Sequence, residues 1–196
     1  MESFSLYKQC TLIPFSKEIL DNCPNFSCGD EELDNFFHRD ADLYSKELMG
    51  KTYCWITNEK PHQIVALFTL ANDSIKTFYL DNKIRNRLNR TISNNKRGRS
   101  YPAVLIGRLG INEYFQGKSV GSQVLHFIKD WFRHTSNKTG CRFIVVDAYN
   151  NGRTTKFYEK NNFRYLYNNE KVELSQYSSS KANNISTRLM YLDLKL

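Results

Sequence analysis

The sequence predicts one α/β domain built around a mixed sheet. Strand-sized apolar runs alternate with segments of helical apolar spacing along the 196 residues, a pattern typical of strands and helices packed in layers. Two runs, Ala103–Ile111 and Arg142–Ala148, are almost continuously apolar, as expected of central strands buried on both faces. Neither an internal repeat nor a linker interrupts the chain, and 40% of its residues are hydrophobic. We therefore expect a single domain over residues 1–196.

The first expected elements are a strand over Tyr7–Ile13 and a long helix over Asp30–Met49. Asp30 suits the N-cap position, because its carboxylate can accept hydrogen bonds from the unpaired amides of the first turn. The helix would present one apolar face, formed by Leu33, Phe36, Phe37, Tyr44 and Leu48. Gly50 is expected to end the helix in the left-handed conformation that glycine tolerates.

Two strands follow, at Thr52–Thr57 and Ile64–Ala71, with turn-forming residues at Asn58–Pro61 between them. A basic segment, residues 82–100, comes next and contains five Asn, no acid and no sustained apolar period. Its seven cations are Lys83, Arg85, Arg87, Arg90, Lys96, Arg97 and Arg99. Without these seven of the 28 basic residues, 21 face 20 acidic ones, so nearly the whole net charge of +8 lies here. Such a cluster suggests an anionic partner, usually phosphate, although charge runs are also typical of solvated mobile loops.

The second half of the chain predicts two helices and further strands. From Val120 to about His134, apolar residues recur at helical spacing, which indicates an amphipathic helix. The other expected elements are a strand over Arg142–Ala148, a helix over Thr154–Lys160, strands over Phe163–Tyr167 and Thr187–Leu194, and a Ser- and Asn-rich loop over Ser175–Asn184.

Composition and spacing exclude several classes of protein. No apolar run approaches the roughly 20 residues that a membrane helix needs, and the first residues lack the features of a signal peptide. The five cysteines have no paired spacing, so free thiols in a cytoplasmic protein are expected. Cys23, Cys28 and His38 are poorly spaced for zinc, and no metal is expected. Cys54 and Cys141 lack a nearby motif histidine, which favours core thiols over nucleophiles.

The chemically informative stretch is the junction between the first buried strand and the helix that follows it. A glycine-containing loop there would present unpaired amides and the positive end of a helix dipole, which suits phosphate. A Walker A loop would need glycine at position 112, which is Asn112. A dinucleotide fingerprint would need three glycines, and only Gly117 and Gly121 are present. The stretch that begins at Gln116 fits Gln-x-x-Gly-x-Gly, except that Ser119 replaces the first glycine.

With this loop the sequence resembles the GNAT family of N-acetyltransferases, whose Arg/Gln-x-x-Gly-x-Gly/Ala loop binds the pyrophosphate of acetyl-CoA. A second family segment has the pattern Asn-x-x-Ala-x-x-Leu-Tyr-x-x-x-Gly-Phe. The matching positions are Asn151, Tyr158 and Phe163. Phe157 replaces the Leu, Thr154 the Ala and Asn162 the Gly. The last change is physically mild, because Asn is the next-best residue after Gly in the left-handed conformation of a helix end.

The resemblance implies a single-domain fold whose mixed sheet is splayed between its two central strands and flanked by helices. It implies a cofactor-binding core over about residues 103–167, a basic insertion over about 82–100, and acetyl-CoA as the acetyl donor. The residues it assigns to the cofactor are Leu109, Gly110, Ile111, Gln116, Gly117, Lys118, Ser119, Val120, Gly121, Ser122 and Asn151. The amine would attack the thioester directly, and Tyr158 would protonate the leaving thiolate as general acid, since an ordinary phenol with a pKa of about 10 stays protonated.

A general base does not stand out in the sequence. Glu113 and Asp147 are candidates by position alone, and a solvated carboxylate is the more common role for such residues. A lysine acceptor, with an ordinary pKa of about 10.4, would need a base, whereas an α-amine, with an ordinary pKa of about 7.7 and a lower one beside an ester, already has a substantial neutral fraction near neutral pH.

The chain is further similar to the acetyltransferase toxins of toxin–antitoxin pairs, which acetylate the α-amine of aminoacyl-tRNA. The similarity lies in the opening motif Phe-x-Cys-Gly-x-x-x-Leu-Asp-x-Phe, from Phe26 to Phe36, and in Gly107-Arg108-Leu109. It implies tRNA as a partner, bound by the seven cations of the basic segment, and allows for a small antitoxin protein and a homodimer, with no membrane. Two alternatives stay open: an acetyltransferase for protein or small-molecule amines, and a non-catalytic nucleic-acid-binding module on this scaffold.

Overall fold

Seven strands form one mixed sheet in this computed structural model, which describes residues 4–23, 26–176 and 184–196. The strands are β1 (Cys10–Pro14), β2 (Lys51–Thr57), β3 (Ile64–Lys76), β4 (Ser100–Ile111), β5 (Phe143–Tyr149), β6 (Arg164–Tyr165) and β7 (Thr187–Asp193). Their hydrogen-bonded order is β1-β2-β3-β4-β5-β7-β6. β4 and β5 are parallel, whereas β1–β2, β2–β3, β5–β7 and β6–β7 are antiparallel. The predicted α/β class with a mixed sheet is confirmed.

The helices are mostly short. They are α1 (Leu6–Gln9), α2 (Lys17–Asn22), α3 (Glu31–Asn35), α4 (Ala41–Lys46), α5 (Asn82–Asn89), α6 (Val120–Arg133), α7 (Gly152–Lys160) and α8 (Glu170–Leu174). A π-helical turn, Phe36–Asp40, joins α3 to α4, and 3₁₀ turns lie at Thr77–Tyr79, Asn94–Lys96 and Glu113–Phe115. Among the described residues, no helix is both long and apolar enough to cross a membrane.

The two central strands share only a short stretch of pairing. Ala103–Leu105 of β4 pairs with Phe143–Val145 of β5. In the described part of the chain this parallel pairing goes no further, although β4 continues to Ile111 and β5 to Tyr149. The expected splay between the central strands is therefore present in the hydrogen bonding of the sheet.

The chain folds as two compact units. Unit 1 consists of Met1–Ala71 and Ile106–His134. Its antiparallel strands β1, β2 and β3 cover a cluster of buried residues, namely Leu20, Cys23, Phe26, Phe37, Ala41, Cys54, Ile64 and Leu67. α6 buries Val120, Val124, Leu125 and Ile128, as its predicted helical spacing requires.

Unit 2 consists of Asn72–Leu105 and Thr135–Leu196. β5 pairs with β7 over its full length, from Phe143 opposite Asp193 to Tyr149 opposite Thr187. The buried cluster of this unit includes Ile75, Leu80, Ile84, Leu88, Tyr101, Phe143, Leu166 and Tyr191. A single domain over residues 1–196 stays a prediction.

Several predicted boundaries are wrong. Tyr7 lies in α1, and the first strand begins only at Cys10. Long-range hydrogen bonds decide this, because the side chain of Gln123 accepts from the Leu6 amide (2.9 Å) and donates to the Phe4 carbonyl (2.9 Å). β3 continues to Lys76, and α2, α5 and α8 were not anticipated. Residues 177–183 of the expected loop Ser175–Asn184 lie outside the described residues.

The predicted helix Asp30–Met49 is interrupted by the π-helical turn, and its end differs from the expectation. Leu48, with φ of 58° and 87% exposed, takes the left-handed position that was assigned to Gly50. The amides of Leu48 and Met49 close the helix end on the carbonyls of Ser45 and Tyr44. Gly50 is instead required by close packing, since a Cβ there would lie 2.7 Å from the Tyr44 ring.

Candidate active site

The loop between β4 and α6 is shaped by two left-handed residues. Asn112 first caps the 3₁₀ turn, its side-chain oxygen accepting from the Tyr114 amide at 3.0 Å. Gly117 has φ of 74° and Ser119 has φ of 60°, and α6 begins at Val120. Position 119 suits glycine because its backbone is left-handed, and a residue with a side chain is sterically disfavoured in that conformation by about 1–2 kcal/mol. We call residues Gln116–Ser122 the amide loop.

The amide loop has free backbone donors. No described residue accepts a hydrogen bond from the amides of Lys118 through Ser122, and the first internal bond of the turn runs from the Gln123 amide to the Ser119 carbonyl at 3.1 Å. The Ser119 hydroxyl makes no capping bond. Consecutive free amides at the N-terminus of a 14-residue helix suit a pyrophosphate group. The residues present therefore fit the phosphates of acetyl-CoA.

Gln116 holds the loop in place through its side chain. Its Nε2 donates to the carbonyl of Ile111 at 3.0 Å and to the carbonyl of Cys28 at 2.8 Å. The Glu113 amide donates to the Ser27 carbonyl at 2.9 Å. The Gln116 side chain thus bonds to backbone carbonyls of the protein, and its direct contact with the cofactor stays a prediction.

The opening motif (Phe26–Phe36) supports the end of β4. Asp34 accepts from the Cys28 amide and from the Ser27 hydroxyl, both at 2.8 Å. Burial alone would raise the pKa of Asp34, but these hydrogen bonds leave it below its usual value. A Cβ on Gly110 would lie 2.9 Å from the Phe37 ring and 3.3 Å from that of Phe26. Gly110 therefore lets β4 approach this motif closely.

Lys118 lies against aromatic rings rather than acids. Its Nζ is 4.3 Å from the ring centroid of Tyr114 and 5.3 Å from that of Phe115. These cation–π contacts leave the ammonium group exposed beside the free amides. The positive charge adds to the helix dipole in favouring an anion at the amide loop.

The second family segment folds as α7 with well-formed caps. The side chain of Asn151 accepts from the Thr154 amide at 2.8 Å, so it serves as the N-cap. Asn162 has φ of 70°, its amide donates to the Glu159 carbonyl, and the Phe163 amide donates to the Tyr158 carbonyl at 3.0 Å. The prediction that Asn162 replaces Gly in the left-handed position is confirmed. A cofactor contact of Asn151 stays a prediction.

Tyr158 is held by packing. It is 6% exposed, and its ring packs edge-on against Phe157 and Phe163, with centroids 5.1 and 5.3 Å away. Burial raises the pKa of Tyr158 above the ordinary 10.0. Nothing among the described residues forms a hydrogen bond with its hydroxyl. The side chain is thus a neutral proton donor whose hydroxyl has no partner within the described protein.

The basic segment is folded, in contrast to the mobile loop that was the alternative. Its first eight residues form α5, capped by Asp81, whose carboxylate accepts from the Ile84 amide at 2.8 Å. Ile84 and Leu88, one helical turn apart, are 1% and 2% exposed. Two apolar residues are too few to give a visible helical period, which is why the sequence did not indicate α5.

The cations of the basic segment have two different roles. Arg87 donates to the carbonyls of Tyr165 (3.0 Å) and Leu166 (2.5 Å) and to the side chain of Asn168 (3.0 Å). Arg97 donates to the carbonyls of Asn89 and Ile92. Arg87 thus anchors the segment to another part of unit 2, whereas Arg97 holds two parts of the segment together. The others are half-buried Arg85, which bonds to the Asn82 side chain, and the exposed Lys83, Arg90, Lys96 and Arg99.

A buried ionic contact fixes the middle of the segment. The Thr91 hydroxyl and the Arg142 guanidinium both donate to the Asp193 carboxylate, at 2.8 and 2.7 Å. Arg142 also donates to the Thr91 carbonyl at 3.1 Å. The Asp193 side chain is only 5% exposed, so removal of either partner would leave a buried group unpaired and cost more than the loss of a surface ion pair.

Other candidate groups are unremarkable in geometry. Glu113 and Asp147 are both exposed, and a base role for either stays a prediction. All five cysteines are free, and burial raises the pKa of Cys54 and Cys141, which disfavours the nucleophilic thiolate. Within the described ranges, no three His, Cys, Asp or Glu side chains are grouped so as to hold a metal ion.

A sequence profile of the acetyltransferase (GNAT) family matches residues 17–163. The chain belongs to the acetyltransferase (GNAT) family. It is therefore an enzyme that uses acetyl-CoA as acetyl donor, in agreement with the free amides of the amide loop. The matched range contains the opening motif, the basic segment, the amide loop and Tyr158.

Individual proteins extend this finding. A tRNA-acetylating toxin of Mycobacterium tuberculosis is 23% identical over 128 residues, which are 65% of this chain and 70% of that protein. The crystal structure of a tyrosine-to-phenylalanine mutant of KacT has a TM-score of 0.71 at 18% identity, with 96% of each chain covered. AtaT complexed with acetyl-methionyl-tRNAfMet has a TM-score of 0.68 at 18% identity, with 95% of each chain covered. At these identities the two structures show the shared GNAT fold.

Sequence reasoning missed residues that hold this GNAT site together. Ser27 and Cys28 bond to the β4–α6 junction through their carbonyls, and Arg87 docks the basic segment through backbone acceptors. Backbone carbonyls carry no residue type, so no sequence pattern signals such bonds. Asp34 belongs to the opening motif, and its two hydrogen bonds give it a structural role that the motif alone does not indicate.

Proposed function

We propose that this acetyltransferase transfers the acetyl group to the α-amine of an aminoacyl-tRNA, and that the basic segment binds the phosphates of that tRNA. The observation that supports this most is the folded basic segment. Ile84, Leu88 and Arg87 hold α5 on unit 2, while Lys83 and Arg90 are exposed. A rigid surface with several outward cations suits a polyanion better than a solvated loop does, because less side-chain and backbone entropy is lost on binding.

The available acid–base groups favour an amine that needs no strong base. The candidate bases Glu113 and Asp147 are both exposed to solvent, whereas a general base for a lysine amine has to be held within hydrogen-bond reach of that amine. The α-amine of an aminoacyl ester has a pKa below the ordinary value of about 7.7, so much of it is neutral at pH 7. Two similar proteins support such an acceptor: the M. tuberculosis protein is a tRNA-acetylating toxin, and the AtaT complex contains acetyl-methionyl-tRNAfMet.

The proposed division of labour follows from the described groups. Acetyl-CoA supplies an activated acetyl thioester. The amides from Lys118 to Ser122 would hold its pyrophosphate, and the backbone of Leu109–Ile111 would hold the pantetheine arm and offer one N–H to the thioester oxygen. Tyr158, whose pKa is raised by burial, would donate its proton to the leaving sulfur, and the proton that the attacking amine loses would pass to solvent. An antitoxin partner and a homodimer remain predictions of the resemblance.

The decisive experiment removes the outward cations. A variant with Gln at positions 83, 85, 90, 96 and 99 should lose acetylation of charged tRNA by a factor of about 10³ or more at physiological salt, because several phosphate contacts disappear together. Acetyl-CoA affinity, measured by calorimetry, should be unchanged. Mass spectrometry of the tRNA-borne amino acid gives the readout, and the logarithm of the wild-type rate should fall linearly with the logarithm of salt concentration.

Two controls make this experiment specific. A variant with Gln at exposed positions 8, 17, 46, 51 and 60 removes the same charge from unit 1 and should keep the wild-type rate within about threefold. Arg87→Gln should lower the melting temperature, since three acceptors lose their donor, while leaving the salt dependence intact. Unmodified tRNA alongside rapid acetylation of a protein or polyamine would refute the proposal and leave the acetyltransferase with another acceptor.

A further inference from the structure

Two aromatic side chains of unit 2 are exposed beside the basic segment. Phe78 is 53% exposed and Tyr79 is 60% exposed. They are adjacent in the 3₁₀ turn that follows β3, and their ring centroids are 3.9 Å apart at an interplanar angle of 41°. Neighbouring aromatic rings in solvent are unfavourable unless something covers them, because each leaves a large apolar surface in water.

The turn that carries the rings is rigidly attached. Thr77, 2% exposed, donates its amide to the Arg99 carbonyl at 2.8 Å and its hydroxyl to the Gly98 carbonyl at 2.9 Å. Ile75 and Leu80, on either side of the turn, are buried in the core of unit 2. The rings are therefore exposed by the fold itself, since their neighbours on both sides are fixed inward.

The charges around the rings are mostly positive. Lys76 precedes the turn, Arg99 lies across its backbone hydrogen bond, and Lys83 follows in α5; all three are exposed. The nearby acid in sequence, Asp81, has its carboxylate engaged as the cap of α5. Aromatic rings interleaved with cations are the chemistry with which proteins bind unpaired nucleotides, because bases stack on the rings while phosphates meet the cations.

We propose that Phe78 and Tyr79 form a stacking platform for one or two unpaired nucleobases of the RNA that the basic segment binds. The proposal rests on the proposed function in taking RNA as the partner, and it adds a site that reads the single-stranded part of that RNA. The cations provide salt-dependent attraction to phosphate. The rings provide contacts that only unpaired bases can make, and so distinguish a single strand from a duplex.

The test measures binding without any acetyl transfer. The probes are a fluorescently labelled single-stranded RNA hexamer and a blunt 12-base-pair RNA duplex, and the readout is anisotropy over a range of salt concentrations. Phe78→Ala together with Tyr79→Ala should weaken hexamer binding by about fivefold to 150-fold for each base that stacks. Duplex binding should change by less than about twofold, because its bases are already stacked on one another.

The salt dependence separates stacking from charge. In the double alanine variant the log–log slope of hexamer binding against salt should equal that of the wild type, since no phosphate contact is lost. Lys83→Gln together with Arg99→Gln should instead reduce that slope. The conservative pair Phe78→Tyr with Tyr79→Phe should retain hexamer affinity, and Leu43→Ala, which removes an equally exposed apolar side chain from α4 of unit 1, should leave it unchanged.

Three outcomes would overturn the platform. The first is wild-type affinity for the hexamer in the double alanine variant. The second is an equal loss of affinity for hexamer and duplex. The third is that the variant loses a co-purifying protein partner and still binds RNA, which would assign the rings to a protein interface. Failure of the proposed function looks different: the hexamer binds in a ring-dependent manner while charged tRNA stays unacetylated. The two hypotheses can therefore be rejected separately.

Discussion

Unit 1 and unit 2 offer chemically different groups to an anion. In unit 1 the donors are backbone amides, from Lys118 to Ser122, presented at the start of α6. In unit 2 they are side chains, the outward cations of the basic segment, which begins with α5 and its two buried apolar residues. A backbone amide donor remains when the side chain of its residue changes, whereas a side-chain cation is lost when its residue is substituted.

This difference explains how each region tolerates change. Ser119 stands where the family pattern has glycine, and the loop keeps its left-handed turn and its free amides. Backbone donors are fixed before the ligand arrives, so a small ligand is bound with little loss of entropy. Side-chain cations spread over a surface suit a long polyanion, and their attraction is screened by salt.

The largest effect is expected at Tyr158, the proposed general acid, which lies in unit 2. Tyr158→Phe removes only the hydroxyl and should reduce kcat about 10²–10⁴-fold, with the KM for acetyl-CoA little changed. Because burial raises the pKa of Tyr158, the wild-type phenol stays protonated through pH of about 10, and kcat should show no alkaline fall from this group below that value. Steady-state kinetics from pH 6 to 10 test both statements.

Near wild-type turnover in Tyr158→Phe would mean that the Tyr158 side chain only packs in the core and that water protonates the leaving thiolate. The melting temperature serves as the control, since the hydroxyl makes no hydrogen bond within the described residues. A melting temperature far below that of the wild type would mean that the variant loses activity because it is misfolded.

An intermediate effect is expected at Gly110, where the backbone of β4 approaches the opening motif. Gly110→Ala places a Cβ 2.9 Å from the Phe37 ring and should destabilise the protein by about 1–3 kcal/mol. Thermal unfolding should then begin several degrees lower. Gly107→Ala, in the same strand, is the matched control, because its Cβ would meet only the Thr69 carbonyl at 3.9 Å. Equal melting temperatures of the two variants would contradict the close approach.

The smallest effect is expected at Ser119, where only the backbone matters. Ser119→Gly relieves the left-handed conformation at φ of 60° and should stabilise the protein by up to about 1 kcal/mol. Acetyl-CoA affinity should change by less than about threefold, because the amide remains. Leu48→Gly, at φ of 58°, is the control for strain alone and should stabilise similarly. A tenfold loss of affinity in Ser119→Gly would mean that the hydroxyl binds the cofactor.

Elements with a strong local pattern were predicted well, and those that depend on distant partners were not. α6 lies within a residue of its predicted bounds, because its apolar residues recur at helical spacing and four of them form one buried face. α5 was missed because its eight residues bury only Ile84 and Leu88. The junction after β4 was found from its glycines, but the hydrogen bonds of Gln116 to Ile111 and Cys28 could not be.

The sequence by itself determined the amphipathic α6, the amide loop before it, the left-handed Asn162 and the concentration of charge in the basic segment. All four depend on residues within one or two turns of each other, where spacing and side-chain type decide the conformation. Only the tertiary structure decided which cations are anchors and which face outward, since Arg87 and Arg97 bond to carbonyls that any residue could supply. It also decided that Leu48, not Gly50, takes the left-handed turn, because the Tyr44 ring and the neighbouring strand occupy the space beside Gly50.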